Sequence, residues 1–297
     1  MSKAVTGVPV NTPKAIKNLS GYQTFYKRLK KNKAALIGGY LLLFFIIVAI
    51  VGPFFTVHDP VRVDFTQKLL TPSATHWFGT DHNGRDIFTR IIYGMPITLY
   101  VGFTSVIIGA LIGVPLGVFS GYYGKMIDTV LMRLIDILLA FPGILLAIAL
   151  VSVLGKSVTN VIIAVGVFSI PAFARIARGS TMSVRKLEYI DAVRALGASD
   201  MRIIFKHILP NIISPIIVQA TIRIAISILA ASGLSFLGLG AQPPSPEWGA
   251  MLSQGRRYMF DYPHVALFPG LAIVTVVLAF NIFGDGLRDA YDPKAKA

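Results

Sequence analysis

The sequence predicts an all-α integral membrane protein with six transmembrane helices, and three observations carry that expectation. Of the 297 residues, 54% are apolar and only 14% are charged, whereas soluble domains carry about 25% charged residues. Mean hydropathy is +0.68. Six separate stretches approach or exceed the ~20 mostly apolar residues that cross a bilayer as a helix. Cysteine is absent, which excludes disulfides, thiolate catalysis and Cys-ligated zinc or iron–sulfur centres.

The first stretch, 34–55, reads AALIGGYLLLFFIIVAIVGPFF. It is longer than the ~7–15-residue apolar core of a signal peptide and no A-x-A site follows it, so it is expected to persist as a signal anchor. The second covers 97–119, the third 129–154, the fourth and shortest 158–173, the fifth 210–239 and the sixth 264–283. Pro115 in the second and Pro142 in the third predict kinks. The organisation expected from these spans is a basic cytoplasmic segment (1–33), a first span with an external loop (34–95), and a five-helix core (96–284). That core contains a cytoplasmic loop at 174–209, and a cytoplasmic tail (285–297) closes the chain.

Lys and Arg distribute unevenly between alternate loops, and that bias sets orientation. One side collects twenty. They are Lys3, Lys14, Lys17, Lys27, Arg28, Lys30, Lys31 and Lys33 before the first span, Lys125 and Arg133 after the second, Arg175, Arg178, Arg185, Lys186, Arg194, Arg202 and Lys206 between the fourth and fifth, and Arg288, Lys294 and Lys296 at the end. The other side has seven: Arg62, Lys68, Arg85, Arg90, Lys156, Arg256 and Arg257. Both termini are therefore expected in the cytoplasm of a multi-pass cell-membrane protein. The net charge of +14 reads as a topology signal facing anionic lipid headgroups, not as a nucleic-acid surface.

Three local features carry physical content. Ser105, Gly109, Gly113, Gly117 and Gly121 recur every four residues, a small-residue stripe along one helix face that lets a second backbone approach closely. Asp136 and Arg223 fall within apolar spans, where ionisable groups face cavities or partners. Asp136 sits near the cytoplasmic end with Arg133 at hand, and Arg223 lies deeper, as a candidate cavity-lining charge. The loop RGSTMSVRKLEYIDAVRALGASDMRIIFKHILPN, 178–211, is helix-forming, amphipathic and basic. It reads as a helix from about Glu188 to Leu196, a turn at Gly197, and a second helix. Ser199 stands at the N-cap of that second helix, and Met201, Ile204, Phe205 and Ile208 form its apolar face. Pro210 opens the next span.

Asp191-Ala192-Val193, with Gly197 six residues after Asp191 and Leu209-Pro210 beyond, resembles the EAA motif of ABC importer permeases. Asp191 stands where that motif has Glu, and Val193 where it has a second Ala. HWFGTDHNGRDIFTRIIYG (76–94), MRLIDILLAFPGILLAI (132–148), GLSFLGLGAQPPSPEWGAML (233–252) and FNIFGDGLRDAYDPK (280–294) are similar to blocks of the C-type subunit in the oligopeptide/dipeptide (peptide/nickel) branch. The likeness covers roughly 25–294, with Pro96 departing from a position that is basic in most relatives. It implies the type I ABC importer permease fold, with the 174–209 loop docking on an ATPase through Glu188, Asp191, Ala192, Arg194, Ala195, Leu196 and Gly197. It further implies a homologous permease as heterodimer partner, two cytoplasmic ATPases that bind the ATP and Mg, and an extracytoplasmic binding protein that delivers di- or oligopeptides. This chain itself would bind no cofactor and catalyse nothing. The alternatives are a permease for nickel chelates or antimicrobial peptides, or an ion-coupled secondary transporter working through Asp136 or Arg223.

Other chemistries find no support in the residues. Gly155-Lys156-Ser157 resembles the end of a P-loop, but Leu150 stands where that loop needs Gly. No H-E-x-x-H or G-x-S-x-G is present. Gly233…Gly238-Leu239-Gly240 follows no strand, and Pro243 replaces the last Gly of a dinucleotide fingerprint. His76, Asp81, His82 and Asp86 cluster before the second span but lack a ligand spacing, and are expected to make turns and ion pairs with no metal.

Overall fold

The structure, a computed structural model, describes residues 29–30 and 32–291. Lys3, Lys14, Lys17, Lys27, Arg28, Lys31, Lys294 and Lys296 lie outside the described residues, and with them most of the basic segment 1–33 and the end of the tail. Every regular element among the described residues is helical, and one isolated bridge pairs Thr80 with Asp86. The helices are α1 (Lys33–Val51), α2 (Ile87–Tyr123), α3 (Lys125–Leu139), α4 (Gly143–Leu154), α5 (Val158–Arg185), α6 (Glu188–Ala195), α7 (Asp200–Ile203), α8 (Leu209–Phe236), α9 (Trp248–Gly255) and α10 (His264–Tyr291).

Five continuous helical segments are long and apolar enough to cross a membrane: Lys33–Phe55, Ile87–Tyr123, Val158–Arg185, Asp200–Phe236 and His264–Tyr291. A further apolar pair, α3 followed by α4, is bent by 83° between the two helices and makes a sixth span if the pair is counted as one. Pro142 causes the break: it has no N–H to give the preceding turn, and it disfavours helical geometry at Phe141. By contrast, α2 runs unbroken through Pro96 and Pro115, and α5, α8 and α10 each contain an internal proline.

Several helices outrun the apolar windows. α2 begins at Ile87, ten residues before its hydrophobic stretch, because the Asp86 carboxylate accepts the Thr89 N–H at 2.7 Å and caps it. At 37 residues it spans about 55 Å, so it projects beyond a ~30 Å hydrocarbon layer. α5 continues past Phe173 to Arg185, so the first third of the expected 174–209 loop is helix. α10 likewise carries the start of the 285–297 tail to Tyr291. Hydropathy falls where Arg, Ser and Asp appear, but backbone hydrogen bonding does not require apolar side chains.

The seam between α2 and α5 is the most extensive helix pairing. Ser105, Gly109, Gly113, Gly117 and Gly121 are all buried along it. A Cβ at Gly113 would lie 2.5 Å from the Ile170 carbonyl, and one at Gly109 would lie 2.7 Å from the Ser169 Cβ. At Gly117 it would strike the Ala174 carbonyl, and at Gly121 it would meet the Arg178 carbonyl at 2.7 Å. Backbone therefore touches backbone down the whole face, the arrangement that small residues permit between membrane helices. A second close approach, not foreseen from spacing, joins α1 to α10. A Cβ on Gly38 would reach the Phe283 backbone at 2.6 Å, and Gly286 faces Ala35. Only Ala35, Gly38 and Leu42 of α1 are buried, and Phe45, Val48 and Ala49 are partly buried against the core, so one face of that helix, with Ile37, Tyr40, Leu43, Phe44 and Ile47, stays exposed.

Residues 56–86 form a cap at the end of the bundle opposite the start of α1 and the end of α10. It is tied down by Arg90, which is fully buried and donates to the carbonyls of Pro60 at 2.6 Å and Ser245 at 3.3 Å. Trp248, also fully buried, donates its indole N–H to the Ile91 carbonyl at 2.9 Å. Arg85 bridges Asp81 at 2.7 Å and Gln254 at 3.0 Å. The cap, the start of α2 and the α8–α9 connection are thus one hydrogen-bonded body.

Candidate functional site

The loop between α5 and α8 folds as a short exposed helix with a defined stop. In α6, Glu188 and Asp191 occupy the first turn and Arg194 the last, which suits the helix dipole at both ends. Gly197 has φ +83°, a conformation that costs only glycine nothing. It allows the Gly197 N–H to reach the Arg194 carbonyl at 2.9 Å and the Ala198 N–H to reach the Val193 carbonyl at 3.3 Å. Those two bonds make a Schellman C-cap, and Val193 and Ala198 are both partly buried against the hydrophobic core. Ile190 is the buried anchor of α6. Asp191, Ala192, Arg194, Ala195 and Gly197 are exposed, and Leu196 is 88% exposed at the tip. The resemblance therefore gathers its predicted contacts on one solvent-facing knob.

The second half of the loop departs from its expected pattern. Ser199 occupies the N-cap position of α7 without a side-chain cap bond. Ile203, Ile204 and Ile208 are the buried face, while Met201 and Phe205 are 49% and 61% exposed. A π turn at Ile204–Ile208 accounts for part of the rotation. It relieves the clash between the Pro210 ring and the carbonyl four residues earlier, so the helix runs on into α8 instead of starting at Pro210.

Tyr122, at the end of α2, holds the knob to the bundle. It is 3% exposed. Its hydroxyl donates to Asp200 at 2.6 Å and accepts from Arg194 at 3.4 Å. The Arg185 guanidinium lies 5.7 Å from its ring centroid and that of Arg194 6.0 Å, within cation–π range. Arg194 also pairs with Asp191 at 3.2 Å, and its bond to Tyr122 holds its guanidinium above the ordinary value. One side chain on α2 thus touches the end of α5, the end of α6 and the start of α7.

The intramembrane charges are placed differently from expectation. Asp136 pairs with Arg175 of α5 at 3.1 Å, not with Arg133, and both partners are 59% exposed. Asp128, which spacing did not single out, takes both arms of Arg178 at 2.6 Å and accepts the Ser120 hydroxyl. Two α3 carboxylates therefore clip that helix to α5. Arg223 is half-buried on α8 with its guanidinium 5.7 Å from the Phe168 ring and its Nε without a partner.

In the cap, His76 binds Asp86 through Nδ1 at 2.9 Å and Gln67 through Nε2 at 2.9 Å, and its ring stacks on His58. The ligating atoms of His58, His76 and Asp86 lie within 4.8 Å of one another, but both His76 nitrogens are already engaged. Asp81 serves Arg85 and the 81–85 turn, and His82 stacks on Tyr258. The four residues singled out in the sequence therefore split between two small polar clusters.

Comparison with known proteins adds the following. Residues 113–297 match the family described as "Binding-protein-dependent transport system inner membrane component". Residues 20–72 match the "N-terminal TM domain of oligopeptide transport permease C". The chain is 50% identical to the dipeptide transport system permease protein of Alkalihalophilus pseudofirmus, covering 94% of this chain and 92% of that one. It is 47% identical to the glutathione transport system permease protein of Pectobacterium atrosepticum, covering 98% and 96% respectively. Among solved structures it is similar in fold to a chain of the inward-facing MetNI methionine ABC transporter. The TM-score is 0.55 at 21% identity, covering 68% of this chain and 96% of that one.

Proposed function

Since the chain belongs to the family of binding-protein-dependent transport system inner membrane components, a multi-pass ABC importer permease, we propose that its cargo is short peptides of two or three residues. Relatives named for dipeptide and for glutathione, itself a tripeptide, are nearly equally similar over almost the whole chain, which supports a path that passes both. In this reading the chain pairs with a homologous permease, two cytoplasmic ATPases bind ATP and Mg, and an extracytoplasmic binding protein delivers the peptide. Both termini lie in the cytoplasm, as the Lys and Arg bias indicates. The chain itself hydrolyses nothing: the knob at Leu196 and Gly197 seats on an ATPase, and ATP-driven closure rocks the permease halves between inward- and outward-facing states.

The observation that carries this reading is the exposed, Schellman-capped α6 with its tip clear of the bundle. Gly197→Pro tests it, because proline fixes φ near −65° where the cap needs +83°. Uptake of a labelled dipeptide should be abolished and the ATPases should no longer co-purify, while the permease still reaches the membrane. Normal uptake by the variant, in cells where no ATPase co-purifies even with wild type, would overturn the assignment. A secondary carrier working through Asp136 or Arg223 would then be the reading to pursue.

A further inference from the structure

The end of the first span and the cap carry an apolar cluster that no other described residue covers. Phe54, Phe55 and Val57 are 85%, 79% and 92% exposed, and Trp77 is 63% exposed. The chain's other tryptophan, Trp248, is fully buried. Behind the cluster Trp77 packs on Phe88, centroids 4.8 Å apart. Phe55, Val57, Trp77 and Phe88 line a cleft of about 360 Å³. Through His58 and Thr75 this cleft opens into a polar one of about 700 Å³ that holds Arg62 together with Asp59 and Asp64.

The depth of this cluster follows from helix register. The first span, Lys33–Phe55, has 23 residues, about 34 Å of helix, close to the ~30 Å hydrocarbon thickness. Phe55 thus sits at the hydrocarbon boundary. Gly52 abuts Ile92, where a Cβ would come 2.7 Å from its Cγ2, and the Tyr93 hydroxyl reaches the Pro53 carbonyl at 3.5 Å. Ile92 is therefore level with the end of the span. Phe88 lies one turn further out, about 5–6 Å, and Trp77 lies beside it. That is the depth of the headgroup layer, where tryptophan collects in membrane proteins.

We infer that the Phe55–Val57–Trp77–Phe88 cleft is a phospholipid seat: the cap lies on the bilayer, and a zwitterionic lipid fills the cleft. Its upper acyl chain rests on the aromatic rings, and its phosphate and amine face Arg62 and the Asp59/Asp64 pair. The surface is continuous with the lipid-facing side of α1, and the joined apolar and mixed-charge clefts match an amphiphile better than a protein surface. The claim needs only that the chain is membrane-embedded. It holds whatever the cargo and whichever leaflet lies on this side, so it stands or falls apart from the peptide-import reading.

The native chain has no cysteine, so a single spin label can be placed at will. Val57→Cys should not disturb folding at so exposed a position. With Leu43→Cys on the lipid side of α1 as reference, the labelled permease is assembled with its partner subunits, their own cysteines replaced. The complex goes into nanodiscs containing phosphatidylethanolamine. Collision with oxygen at position 57 should exceed collision with a water-soluble nickel chelate, and depth calibration should place the label just beneath the phosphates, at the level of the upper acyl chain. Phospholipids spin-labelled at the upper acyl chain should also quench Trp77 fluorescence, with the effect lost in Trp77→Phe. Preference for the nickel chelate would mean a water-facing cap, and shielding from both reagents would mean cover by a partner protein. Either outcome overturns the proposal.

Discussion

The two ends of α2 are built on opposite principles. At the cap end, Arg90 is wholly buried, with carbonyls of two other segments on its guanidinium, and Trp248 is locked to Ile91. At the other end Tyr122 holds three elements, but by one short hydrogen bond, one long one and two cation–π contacts with half-exposed or exposed arginines. Buried, charge-assisted hydrogen bonds are expensive to break, whereas partly solvated contacts exchange with water at little cost. One end of the helix is a weld and the other a joint. The glycine seam between them packs α2 and α5 backbone to backbone.

Removing the weld should have the larger effect. Arg90→Ala strips the partner from the Pro60 and Ser245 carbonyls and weakens the hold on Asp81, which lies 3.7 Å from the guanidinium. A loss of about 3 kcal/mol or more is expected for breaking such a buried network. It should appear as a clear drop in the unfolding temperature of the detergent-solubilised complex and as proteolysis within the cap. If the variant unfolds at the wild-type temperature, the two ends are alike and the contrast is wrong.

Tyr122→Phe should act in the opposite way, with little change in stability and a loss of function. The ring and both cation–π contacts remain, while the bonds to Asp200 and Arg194 go. At about 1 kcal/mol the loss amounts to roughly fivefold in the population of the engaged joint. Peptide uptake per ATP hydrolysed should fall by about that factor at an unchanged unfolding temperature. A uniform fall in expression, uptake and hydrolysis would mean that Tyr122 is merely structural.

Much of this plan is legible in the sequence, and its gaps have physical causes. The glycine stripe could be read because a close backbone approach leaves a period of four small residues, and Gly197 because only glycine suits a left-handed C-cap. The apolar face of the 200–208 segment is only partly legible from spacing. Met201, Ile204, Phe205 and Ile208 satisfy helical spacing, but Ile203 does so equally well, and the π turn shifts the register within the very stretch where the face is counted. Arg90 and Asp128 stayed hidden because their partners are remote: Pro60 and Ser245 on either side of α2, and Arg178 fifty residues along the chain. Tyr122 has no signature at all, since its importance comes from three helix ends meeting there.

The smallest expected effect tests whether the weld is dry. His82 lies against Tyr258 at the cap end, with one ring nitrogen buried and without a partner. Burial is the main influence holding its imidazole below the ordinary 6.5; Arg85, Arg90 and Lys68 act in the same direction, and Asp81 opposes them. The folded cap therefore favours the neutral ring, while an opened cap would take up a proton from 6.5 downward. Stability contributed by His82 is complete above that value and declines as pH falls below it, toward the lowered folded-state value. Amide exchange across residues 79–86 should then accelerate modestly between about pH 6.5 and 5, relative to the same complex at pH 7.5 after correction for intrinsic rates. His82→Gln, which keeps a polar side chain without titrating, should flatten that dependence. Exchange in the wild type that does not respond to acid would show that water reaches the ring freely, and the cap end of α2 would then be as wet as the joint.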